Sequence, residues 1–134
     1  MKTNWSKMTT LIDPDMPVKL ASEYGVRVPP NFLEFVESYN GGMTHPCPYI
    51  YNQVESKGVV IKGLLSFNES DNNSVFNTIT KLVCYDKSLH GIPFAYSDKG
   101  VISILGNSVL HRDDATGEIW VLDKSFAHFM KIVL

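Results

Sequence analysis

The 134-residue chain has a formal charge of -2, with 12 Lys and Arg against 14 Asp and Glu, and is 44% hydrophobic and 19% charged. This composition excludes a chain dominated by disorder and fits one domain able to bury roughly two-thirds of its unfolded surface. Only Arg27 and Arg112 are arginines and the lysines form no cluster, which argues against a general nucleic-acid binder, since phosphate contact needs concentrated cationic charge.

Residues 1–15 place Trp5, Met8, Leu11 and Ile12 at helix-like spacing, predicting a short leading helix with one docked apolar side. Pro17 to Tyr24 can make a second short helix, ended by Gly25 as a left-handed cap. The strongest helix signal runs from Pro29 to Gly42. There Phe32, Phe35, Val36 and Tyr39 form one apolar face, Glu34, Glu37 and Ser38 take the wet side, prolines open the helix and glycines close it. Short segments rich in β-branched and aromatic residues follow: Tyr49 to Tyr51, Val59 to Ile61, Ile92 to Tyr96, Val101 to Leu105 and Ile119 to Leu122. Each is bounded by turn formers and reads as a strand. Val75 to Cys84 is compatible with either helix or extended chain, because Phe76, Ile79 and Val83 allow a helix while Thr78, Thr80 and Val83 also tolerate extended chain. Ser125 can cap a last helix carrying Phe126, Phe129, Met130 and Val133 on one face. The resulting expectation is one α+β domain over 1–134, with 1–16 as a leading segment and helices packed on a largely antiparallel sheet. Phe32, Phe35, Val36, Tyr39, Phe94 and Trp120 are expected to be buried together.

Groups able to do chemistry are sparse. His45-Pro46-Cys47 is the most ligand-like cluster, yet His90, His111 and His128 are scattered and no second Cys pair completes a zinc set. No metal or cofactor is expected. Neither G-x-S-x-G nor a Walker or G-x-G-x-x-G loop occurs, and Gly106-Asn107-Ser108 reads as a turn. Asp113-Asp114-Ala115-Thr116-Gly117 also reads as a hairpin turn rather than an acid pair for catalysis. There is no apolar leader segment and no run long enough to cross a bilayer, so Cys47 and Cys84 are expected as reduced thiols in a cytoplasmic protein.

Three motifs in order resemble the SUKH superfamily, the fold shared by yeast cell-wall synthesis regulators and bacterial immunity proteins. Tyr24-Gly25-Val26-Arg27-Val28-Pro29, followed by the Phe32 to Gly42 helix and its Asn-Gly-Gly ending, is similar to the family's opening. Ile92-Pro93-Phe94-Ala95-Tyr96-Ser97-Asp98-Lys99-Gly100 resembles its Ile-Pro-Phe-Ala strand and turn. Gly117-Glu118-Ile119-Trp120-Val121-Leu122-Asp123 resembles its Gly-x-Ile-aromatic strand. The chain departs from the pattern at Val28 and Ser97, and His45 to Val83 matches only loosely. The resemblance implies a binding module rather than an enzyme, most simply one that neutralises a cognate toxin, often a nuclease. The alternatives are an intracellular regulatory adaptor and a hydrolase using Asp98, Asp113 or Asp114. A toxin with a basic surface would meet acidic loops, which makes Glu69, Asp71, Asp98, Asp113 and Asp114 the candidate contact residues.

Overall fold

In the computed structural model, which describes residues 2–85 and 89–134, the first element is a strand rather than a helix. Strand β1 (Asn4–Ser6) precedes helices α1 (Met16–Glu23) and α2 (Pro30–Tyr39). Strands β2 (Met43–His45), β3 (Tyr49–Asn52) and β4 (Lys57–Leu64) lead into helix α3 (Val75–Tyr85). Strands β5 (Ile92–Ser97), β6 (Gly100–Leu105), β7 (Ser108–Asp113) and β8 (Ile119–Asp123) follow, and then helix α4 (Phe126–Val133). The fold is α+β. One eight-stranded sheet runs β1-β2-β4-β5-β6-β7-β8, and β3 is added alongside β4. All of these strand pairs are antiparallel.

The local causes are those written in the chain. Pro30 sits in the first turn of α2, where its missing N–H costs nothing, and the helix buries Phe32, Phe35 and Val36. Past its end, Gly41 takes φ 69°, a conformation costly for any residue with a Cβ. In α4 the Ser125 hydroxyl accepts from His128 N at 3.2 Å, the expected cap. Val75–Tyr85 resolves as helix. Its two threonines bond backwards, Thr78 Oγ1 to Ser74 O and Thr80 Oγ1 to Phe76 O, both at 3.0 Å, which satisfies their hydroxyls within the helix. Pro93 lies beside a register shift between Pro93 and Ala95, so a strand interior accepts a residue without an N–H.

The expected leading helix is overturned. Trp5 pairs with Thr44 in the sheet, and the segment after it is held by distant residues: Thr9 N donates to the backbone Asn40 O at 2.9 Å and Ile12 N to the side-chain Asn68 Oδ1 at 2.9 Å. Of the four apolar residues that suggested a helix, Leu11 is buried and Trp5 partly so, whereas Met8 and Ile12 are 46% and 76% exposed. Nothing is left for a helical stripe to cover.

One core holds the elements together. The Phe32 ring lies edge-on to Phe67, Phe94 and Phe126, with centroids 5.2–6.4 Å apart, and Phe35 meets Trp5, Tyr39 and Phe126. Such offset and edge contacts favour aromatic pairs beyond their area alone. Phe32, Phe35, Val36, Phe94 and Trp120 are all buried; Tyr39 is only half-buried, because it ends α2 at the rim where Trp5 stacks on it. A buried amide ties the helices to the loop after β4. Asn40 Oδ1 accepts from Phe67 N at 2.8 Å, and its Nδ2 faces Ser66 Oγ, Thr9 O and Thr9 Oγ1 at 3.2–3.3 Å. At the other end of the sheet, Asn52 Nδ2 donates to Val121 O and Leu122 O, linking β3 to the outer edge of β8.

Candidate partner-binding site

The five acidic residues fall into two places. Asp98 opens the β5–β6 turn, where its Oδ1 accepts from Val60 N at 2.9 Å and its N–H donates to Val60 O at 3.0 Å, anchoring the turn to β4. Asp113 ends β7, and its Oδ1 accepts from Ala115 N and Thr116 N, the self-bonded turn that Asp before a Gly forms. Those two backbone N–H groups, Thr116 first, hold its carboxyl below the usual carboxylate range. Asp114 N donates to Lys99 O at 2.9 Å, so the β7–β8 turn docks on the β5–β6 turn. Gly100 makes this approach possible, since a Cβ there would collide with Arg112 O. The Asp114 carboxyl is raised, by burial first and by neighbouring Asp113 second, with Lys81 opposing.

Glu69 and Asp71 lie elsewhere, in the loop between β4 and α3. Asp71 Oδ2 accepts from Ser66 Oγ at 2.6 Å, from Asn68 Nδ2 at 3.3 Å and from Thr9 Oγ1 at 3.3 Å. These bonds, Ser66 foremost, lower its pKa and commit it to holding the loop. Glu69 is exposed and borders a shallow depression with Ile12, Met16 and Phe67. The structure thus groups Asp98, Asp113 and Asp114 and leaves Glu69 and Asp71 on a separate loop.

Asp113 and Asp114 border a cleft of about 540 Å³ between α3 and the sheet, which also receives Tyr96, Lys81, Arg112 and Leu82. Burial pushes the Tyr96 phenol above its ordinary value. The mouth therefore mixes both signs of charge over an apolar floor, a lining suited to recognising a shaped partner group. Among the described residues no group of three or more His, Cys, Asp or Glu could hold a metal ion. Cys47 is half-buried, Cys84 is exposed, and neither is in a disulfide.

Sequence reasoning missed one contact. Ser97 Oγ and His111 Nε2 are 2.8 Å apart, joining the end of β5 to β7 across β6. A serine beside an imidazole invites a nucleophile reading, but the surroundings do not fit it. Ser97 Oγ already accepts from Lys99 N and Gly100 N, both at 3.0 Å, so its lone pairs are engaged in the turn. His111 is 1% exposed, its Nδ1 has no hydrogen-bond partner, and burial pulls its pKa below the ordinary 6.5. A catalytic base needs access to substrate and a group orienting its second nitrogen. The only foretaste in the sequence was strand periodicity, which puts the two residues on one face once register is known.

Compared with known proteins, the chain matches no family model, no curated protein and no solved structure. Among the described residues, no helix is long and apolar enough to cross a membrane.

Proposed function

We propose that this chain is a non-enzymatic, SUKH-like protein-binding module of the cell interior that neutralises a cognate toxin by covering a basic surface on it. The observation carrying this reading is the Asp114 N to Lys99 O bond, which sets Asp98 and Asp114 on two docked turns beside the cleft. Carboxylates on docked turns next to a concave, partly apolar surface favour a protein partner bearing Arg or Lys, because the backbone that carries them needs little further ordering on binding. Lys81 and Arg112 in the same cleft make recognition depend on where charges sit rather than on their sum. The hydrolase alternative is weaker, since Asp113 is consumed by its own turn and Ser97 by two backbone donors.

Co-expression with the toxin encoded beside the gene tests the reading. Asp114→Lys should lower protection, slow association and flatten its salt dependence, while Asp71→Lys should act mainly by destabilising the loop. Intact protection, affinity and salt dependence after reversal at all five acidic positions, with folding retained, would sink the acidic-face idea. Turnover of a nucleic acid, peptide or ester by the purified protein would sink the non-enzymatic one.

A further inference from the structure

We propose that Ser97 and His111 form a proton-sensitive latch, which holds the β5–β6 and β7–β8 turns docked while the imidazole is neutral and releases them when it takes up a proton. A hydroxyl has one proton to give and two lone pairs to receive. Ser97 Oγ receives from Lys99 N and Gly100 N, and its proton has two possible acceptors, His111 Nε2 at 2.8 Å and Gly100 O at 3.4 Å. With both lone pairs taken by the backbone donors, the hydroxyl proton goes to Nε2 at the shorter distance, which places the ring's own proton on Nδ1, buried and without a partner.

A second ring proton would sit on Nε2 and point at an oxygen with no vacant lone pair. Ser97 would have to turn its proton to Gly100 O and release Lys99 N or Gly100 N to receive the imidazolium. Either release loosens the turn whose Lys99 O holds Asp114 N and whose Asp98 is bonded to Val60 at backbone and side chain. Water cannot easily take over, because the ring is 1% exposed and packs on Trp120 with centroids 5.0 Å apart. The charged groups facing it come from three elements: Asp113 on β7 and Asp98 in the β5–β6 turn favour the proton, while Lys99 in that turn and Lys57 on β4 oppose it. Burial outweighs the acids, and the latched ring holds off its proton below 6.5.

The sign follows. Well above pH 6.5 both latched and released rings are neutral and the latch is at full strength. Below it the released ring binds a proton that the latched ring refuses, so the ratio of released to latched protein rises about tenfold per pH unit until the latched ring also titrates. This inference stands apart from the identity of any partner, because the test reads the turns themselves.

The experiment is an NMR titration of the full chain from pH 7.5 to pH 4.5, following the imidazole signals and the backbone amides. His111 should titrate below 6.5, and the amides of Lys99, Gly100 and Asp114 should shift and gain exchange rate with its midpoint. Asp114→Asn should keep that shared midpoint, which excludes the neighbouring carboxyl as its source. Ser97→Ala should free the turn amides already at neutral pH and uncouple them from His111, and Ser97→Thr, which retains the hydroxyl, should restore the coupling. The latch is refuted if His111 stays neutral until the whole domain unfolds, or if the turn amides ignore its midpoint.

Discussion

Replacing Asn40 with Ala removes one buried side chain that four contacts share. Its backbone, at φ -48° and ψ 122°, is open to alanine, so the loss is not confused with strain. The Phe67 N–H, bonded to Oδ1 at 2.8 Å within a residue 1% exposed, would be left buried without a partner, at a cost of about 1–3 kcal/mol. The amide nitrogen has only two protons for its three acceptors at 3.2–3.3 Å, and these are long, partly wet bonds worth together about 1 kcal/mol. The expected loss is therefore about 2–4 kcal/mol. In urea the midpoint should fall by about 1–2 M at unchanged slope. Native-state hydrogen exchange gives an independent reading, since the Phe67 amide should lose protection by more than the global change. A loss under about 1 kcal/mol with Phe67 still protected would refute the reasoning, because it would mean that the loop re-forms its bonds without Asn40.

Phe35→Ala should cost about 3–5 kcal/mol in the same assay, and Phe35→Leu clearly less, because three rings line the space it vacates. Gly91→Ala should destabilise by about 2 kcal/mol or more, since φ is +80° and the new Cβ would meet Ile104 O; a neutral result in thermal melts would contradict that geometry. Asp71 has a lowered carboxyl pKa, so its contribution is full above the unfolded value of 3.8 and is lost as pH falls through the folded value. Asp71→Asn should accordingly flatten stability against pH below 3.8, read from urea melts at stepped pH.

Helix α2, helix α4 and the five expected strands were legible because each writes its burial into a local period. The first strand was not. Three residues alternate too briefly to register, and the forces that hold 9–12 extended come from Asn40 and Asn68, 31 and 56 positions away along the chain. Strand β7 was similarly hidden between two turns that were each read correctly, since His111-Arg112-Asp113 looks polar and only pairing with β6 and β8 shows that His111 points inward. The candidate acidic residues were half-legible in their placement. Turn chemistry put Asp113 and Asp114 in a hairpin turn, but whether a loop carboxylate serves its own backbone depends on donors that sequence spacing does not bring into view, as Asp71 demonstrates with Ser66, Asn68 and Thr9.

Asn52 has a meaning for how copies of this chain behave in a crowd. A terminal strand offers a row of open backbone acceptors on which a stray strand can grow. By donating to Val121 O and Leu122 O, a side chain from β3 engages two carbonyls of β8. A stray strand pairing there would have to displace the amide first.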